Sequence, residues 1–203
     1  VIIEDAAVTG VRTDLGVEPA TRLISAVPFE RIPALLPQLD LPLEAFEHCP
    51  ITGIHLWFDR PITQLPHATL LDRTIQWMFN KDRGRYLQLV VSASRSLTPM
   101  SRADVIALAV RELAEFFPTV AAAKLEKAHV VKEVRATFSA KPGLERLRPE
   151  SRTAIRGLYL AGDWTRSGWP ATMEGAVRSG YLAAEALAEA DRRPQRFLLP
   201  DIA

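Results

Sequence analysis

Leu158-Tyr159-Leu160-Ala161-Gly162-Asp163-Trp164-Thr165, followed two residues later by Gly168-Trp169-Pro170-Ala171-Thr172-Met173-Glu174-Gly175-Ala176, is the stretch that decides the class of this 203-residue sequence. Leu158 to Ala161 is short and wholly apolar, as in a strand buried on both faces of an α/β sheet. It ends in Gly162-Asp163, and in such sheets ligands bind beyond the carboxyl ends of the strands. A loop, Trp164 to Ala171, leads into a long helix expected from Met173 to about Asp191. A carboxylate at the strand end accepts hydrogen bonds from sugar-like hydroxyls. The helix start after Thr172 offers unpaired N–H groups and a positive dipole end to a negative charge. Gly175, Ala176, Ser179, Gly180, Ala183 and Ala184 leave one helix face nearly bare, which permits close approach. Taken alone, a Gly-Asp strand end and a bare helix face serve packing somewhat more often than a ligand.

Working outward, Val1 to Val11 is rich in β-branched residues and reads as strand with a turn at Gly10. Thr21 to Val27 reads as strand ended by Pro28, and Phe29 to Leu36 as a short helix. Pro37 to Pro50 is a proline-containing crossover. Ile51 to Phe58, Leu70 to Phe79 and Arg85 to Ser94 are three strands with turn chemistry between them. Ser101 begins a helix, with Asp104 as its capping partner and Val105, Leu108, Ala109, Leu113 and Phe116 at helical spacing. Lys127 to Phe138 is one more strand. Leu56, Phe58, Trp77, Phe79, Leu87 and Leu89 are expected to share one face of the resulting antiparallel sheet. Ser139 to Arg156 is loop.

Composition bounds the rest. Lys plus Arg is 25 and Asp plus Glu is 24, for a net charge of +1, so electrostatics gives no reason to expect nucleic acid. The single cysteine, Cys49, cannot form an internal disulfide, and a reducing compartment fits. No apolar run is long enough to span a bilayer. His48, Cys49, His55 and His67 show no metal-ligand spacing, so no metal is expected. Ser25, Ser92 and Ser94 lack a hydrolase nucleophile context.

The string from Leu158 to Gly180 resembles the C-terminal FAD signature of the amine oxidase and phytoene desaturase superfamily. Trp164 and Gly168-Trp169-Pro170-Ala171-Thr172 are most similar to the bacterial hydroxysqualene dehydroxylases. Ala136-Thr137-Phe138-Ser139 and Leu147-Arg148-Pro149 are similar to desaturase-type members, and Ser25-Ala26-Val27-Pro28 to the strand end closing an FAD-domain β-meander. The resemblance implies FAD as cofactor, with Gly162 and Asp163 at its ribityl–pyrophosphate part. The backbone of Thr172, Met173 and Glu174 would meet the flavin's pyrimidine edge, and Val8 the adenine. Trp164 and Trp169 would line the substrate slot. No catalytic residue is identified.

The implied fold is mixed α/β: a partial FAD-binding domain plus a substrate domain with an antiparallel sheet and packed helix. Residues 1–49 would hold the meander and crossover, 50–130 the substrate domain, and 131–203 the C-terminal FAD-binding strand, loop and helix. The implied reaction is reductive dehydroxylation of hydroxysqualene to squalene, with a phytoene-type desaturase or other amine oxidase-like enzyme as alternative. A truncated module without FAD is the third reading. Two departures stand out. Amine oxidases of the superfamily carry an aromatic residue where this chain has Thr172. The glycine-rich turn that binds the FAD diphosphate is not in the sequence, so a further N-terminal FAD-binding segment is the expected partner, beside an apolar isoprenoid. A cytoplasmic enzyme, peripheral at the inner membrane, is the expected location.

Overall fold

A computed structural model describes residues 1–200. In chain order its elements are β1 (Ile2–Glu4), β2 (Ala7–Thr13), β3 (Gly16–Pro19), β4 (Leu23–Ser25), α1 (Ile32–Leu35), β5 (His48–Phe58), β6 (His67–Thr69), β7 (Trp77–Asp82), β8 (Tyr86–Ser92), α2 (Arg102–Phe116), α3 (Thr119–Ala122), β9 (Leu125–Phe138), β10 (Leu158–Leu160) and α4 (Met173–Ala190). They form two compact units, residues 1–47 together with the chain from 140 onward, and residues 48–139. A boundary between 130 and 131 falls inside β9, which pairs along its length with β5.

In the first unit β1, β2 and β3 make an antiparallel meander. The turn expected at Gly10 lies instead at Asp5-Ala6, both with positive φ (48° and 55°), as two-residue hairpins favour. Gly10 sits inside β2, where an added Cβ would lie 2.8 Å from the Glu18 carbonyl oxygen. β4 and β10 pair in parallel, Leu158 opposite Leu23 and Leu160 opposite Ser25. The small face of α4 packs on this pair, with Ala183 against Tyr159 and Ala161. Half of the bare helix face is thus used for packing: Gly175, Ser179 and Ala183 are buried, whereas Ala176, Gly180 and Ala184 are half-buried.

The second unit is a five-stranded antiparallel sheet in the order β6-β7-β8-β5-β9, with α2 on one face. Ser101 caps α2 as expected: its Oγ accepts from the Asp104 N–H at 3.1 Å and donates to the Asp104 carboxylate at 2.7 Å. Val105, Ala109 and Leu113 pack on Ile54, Leu56, Phe58, Met78, Leu87 and Leu89, all 2% exposed or less. Burying each such side chain stabilises by about 1.5–3 kcal/mol.

Two expectations need correcting. Leu70 to Phe79 is not one strand: β6 ends at Thr69, a turn with Asp72 at φ 56° follows, and β7 starts at Trp77. The six residues expected on one sheet face also divide. Leu56, Phe58, Leu87 and Leu89 face α2, but it is Met78 that pairs with Leu89. Trp77 and Phe79 therefore point to the opposite face, because side chains alternate along a strand. The mixed α/β class, with an antiparallel sheet and a packed helix, is the one the structure has.

Candidate functional site

The carboxyl end of β10 carries the site. Ala161 N–H donates to the Ser25 carbonyl at 2.9 Å, extending the parallel pair by one residue. The chain then turns sharply at Gly162, with φ 138°. A Cβ there would stand 2.5 Å from the Trp164 indole nitrogen, so the position has room only for glycine. Gly162 N–H donates at 2.7 Å to Ser179 Oγ, a fully buried hydroxyl of α4, and this bond ties the strand end to the helix. Asp163, the next residue, is half-buried at the strand end.

From there the loop is held by a residue to which the sequence analysis assigned no role. Arg148 is 3% exposed, and its guanidinium donates to the carbonyls of Asp163 (3.0 Å), Thr165 and Trp169 (2.9 Å). The Glu145 carboxylate balances its charge at 2.6 Å. One planar donor set thus fixes three points of the seven-residue path from Asp163 to Trp169, a use suited to the rigid fork of arginine. The available signal was the likeness of Leu147-Arg148-Pro149 to desaturase-type members, which did not reveal the partners of Arg148.

The loop ends on the start of α4. Thr172 is the N-cap, and its Oγ1 accepts from Gly175 N–H at 3.0 Å and donates to the Pro170 carbonyl at 3.2 Å. Pro170 oxygen presses so close on Gly175 that a Cβ there would meet it at 2.3 Å. Met173 is 89% exposed, and Thr172 and Glu174 are exposed beside it. Of this first turn, the N–H groups of the exposed Met173 and Glu174 have no acceptor within the helix and lie at its positive dipole end.

The remaining expected residues are placed differently. Trp164 is 1% exposed, with its indole N–H donating to the Val27 carbonyl at 3.1 Å. Its ring has no surface for a substrate in the described chain, so it acts as a packing post that joins the β10 end to the exit of β4. Trp169 is half-buried, carries the Arg178 guanidinium 4.6 Å above its ring, and lines a hollow of about 780 Å³ with Glu174, Val177, Tyr181 and Phe197. Val8 is buried, and its N–H is committed to the Arg156 carbonyl at 3.0 Å, so that amide is not free for a purine.

A half-buried carboxylate, a clamped loop and an outward-facing helix start, with close contacts at Gly162 and Gly175, form a cradle of one kind. The carboxylate can accept from the hydroxyls of a flavin dinucleotide's linker and the helix start can donate to its electron-accepting edge, so the residues present fit that group. Such a strand–loop–helix defines a flavoprotein of the mixed α/β class. The chain belongs to the flavin-containing amine oxidoreductases, FAD-dependent oxidoreductases whose family pattern it matches over residues 4–188. It is 34% identical to a hydroxysqualene dehydroxylase of Sinorhizobium fredii, over 84% of this chain and 39% of that protein. It is 33% identical to a 15-cis-phytoene desaturase of an Oncidium hybrid, over 82% of this chain and 32% of that protein. The chain thus spans about a third of the length of such relatives. In fold it is similar to reduced UDP-galactopyranose mutase, with TM-score 0.65 and 14% identity over 94% of this chain and 45% of the other. It is also similar to an oxidoreductase of Methanosarcina mazei, with TM-score 0.63 and 16% identity over 93% and 47%. Among the described residues no helix is long and apolar enough to cross a membrane, and no group of three or more His, Cys, Asp or Glu is placed to hold a metal.

Proposed function

We propose that the protein containing this chain removes the hydroxyl group of an isoprenoid alcohol, converting hydroxysqualene to squalene. The observation that carries the reading is Thr172. Its side chain is folded back as the helix cap, so the position before Met173 presents no aromatic wall for an amine. In this reading Asp163 holds the ribityl–pyrophosphate linker, and the first turn of α4 faces the pyrimidine edge. Arg148 keeps both in place. When bound and reduced, FAD would supply the hydride that replaces the hydroxyl, which leaves with a solvent-derived proton as water while the flavin is oxidised. A glycine-rich diphosphate-binding segment from elsewhere in the protein completes the cofactor site, and residues 48–139 act as the substrate unit. The enzyme works in the cytoplasm, at the membrane surface from which it draws its apolar substrate.

The likeness to phytoene desaturases favours one second reading, removal of hydride from a carotenoid precursor by oxidised FAD. One pair of assays separates them. The full-length protein is incubated anaerobically with reduced FAD and hydroxysqualene, and in parallel with oxidised FAD and phytoene. Squalene in the first and no desaturated product in the second is the expected result. The reverse pattern transfers the proposal to the desaturase.

A further inference from the structure

The sheet of the second unit has one face under α2 and a second face that is aromatic, half-exposed and unlike an ordinary polar outer face. Across it runs the row Trp77, Val90, Gly53 and Val131, and beside that the row Phe79, Gln88, His55 and His129. Gly53 is the gap in this surface. A Cβ built on it would meet, within 4 Å, only the Nε2 of His55, at an ordinary 3.7 Å. The missing side chain therefore leaves a notch, bounded along β5 by Ile51 and His55 and across it by Val90 and Val131, with one imidazole nitrogen at its edge.

The orientation of that imidazole is fixed from the other side. His55 Nδ1 is 2.8 Å from Tyr86 Oη, and the Tyr86 ring is stacked on Trp57 at 4.5 Å between centroids. With the Tyr86 hydroxyl as donor, Nδ1 accepts and the proton of the neutral ring resides on Nε2. Burial, then the charge of His129 nearby, holds the His55 imidazole below its ordinary pKa and favours this neutral form. The other titratable groups on this face are Lys127, over the Trp57 ring, and His129, both on β9, Lys81, over the Phe79 ring on β7, and Glu133, one row beyond the notch opposite Ile51.

An apolar notch with one N–H donor suits an alcohol carried on a hydrocarbon, and the nearest carboxylate, Glu133 opposite Ile51, accepts from the Arg135 N–H at 3.1 Å. An amine would need an acceptor or an anion there. The geometry points to the Gly53 notch as the subsite that receives the hydroxyl-bearing carbon of an isoprenoid alcohol, with His55 Nε2–H donating to that hydroxyl and Tyr86 holding the tautomer. This rests on the isoprenoid-alcohol reading above, and supplies for it a specificity residue and its positioning partner.

The test uses the FAD-loaded full-length protein and two probes, hydroxysqualene and squalene, in equilibrium binding from detergent micelles. Wild type is expected to bind the alcohol about three- to tenfold tighter than the hydrocarbon, the worth of one neutral hydrogen bond. Gly53→Val fills the notch in a strand position that valine favours. It should leave the melting temperature equal or higher while weakening both probes at least tenfold. Tyr86→Phe should bring the alcohol down to the level of squalene and leave squalene unchanged, a split that general loosening of the sheet would not give. Unchanged binding of both probes in Gly53→Val, or a preserved alcohol preference in Tyr86→Phe, overturns the subsite. If wild type still makes squalene in that case, the proposed reaction stands without it. Wild type that neither binds the alcohol nor makes squalene removes both.

Discussion

At the end of β10, Arg148 addresses the protein's own backbone, and in the proposed reading Asp163 addresses the cofactor. Arg148→Met strips donors from three loop carbonyls inside the protein, where an unmet acceptor is costly. Unfolding in urea should show a loss of about 2–3 kcal/mol. Flavin fluorescence should show FAD bound at least about tenfold more weakly, because the helix start and Asp163 lose their common support. Arg148→Lys keeps the charge but not the fork, and should recover only part of either. Asp163→Ala should behave differently. Losing a charge-assisted hydrogen bond to the cofactor linker costs roughly 1.5–3 kcal/mol, or about one to two orders of magnitude in FAD affinity. The melting temperature without cofactor should fall less than in Arg148→Met. Unchanged affinity with a lowered apo melting temperature would make Asp163 a turn residue only.

At the level of elements, the outer end of the β5–β9 pair is closed by Asp59. Its N–H donates to the Lys124 carbonyl at 3.0 Å, and its carboxylate accepts from Lys124 N–H at 2.9 Å and from Arg60. The Arg60 hydrogen bond first, and the Lys124 N–H second, pull its pKa down to about 2. A carboxyl depressed in the folded state stabilises above its unfolded pKa near 4, and that contribution fades as pH falls toward 2. Asp59→Asn should therefore melt below wild type at pH 6, with the gap closing between pH 4 and 2. A gap of constant size would show that shape, not charge, matters there. The same unit carries a buried carboxylate, Glu112 of α2, whose oxygens accept from Ile75 N–H at 2.8 Å and Thr74 N–H at 3.3 Å. It stitches the helix to the irregular approach to β7. That contact helps explain why Leu70 to Phe79 is broken as a strand, although its apolar content resembles one.

Across the whole molecule, the prediction that follows from Thr172 is negative and sharp. The FAD-loaded full-length protein, mixed in air with a panel of primary amines and polyamines, should release no hydrogen peroxide above the protein-free rate. Steady peroxide production from any of them would place it with amine-oxidising members of its family and sink the isoprenoid proposal. Residues 48–139 are drawn from one continuous stretch and the other unit from two, so the strand pair β4–β10 closes over more than 130 residues of chain. Such long-range closure is slow to form relative to the local pairings of β7 and β8.

The sequence by itself determined the chemistry-bearing string. The order strand, Gly162-Asp163, loop and helix after Thr172 follows from local rules, since a buried apolar strand and the start of a helix each show in a few adjacent residues. The capping of α2 by Ser101 was legible for the same reason. Only the tertiary structure decided what lies across the chain. It set the one-residue register that sends Trp77 and Phe79 away from α2, because a period-two pattern fixes two faces but not which of them a helix covers. It turned Trp164 inward, since the acceptor of its N–H is 137 residues away. It gave Arg148 its partners, and it brought the Tyr86 hydroxyl to His55 beside the space that Gly53 leaves open.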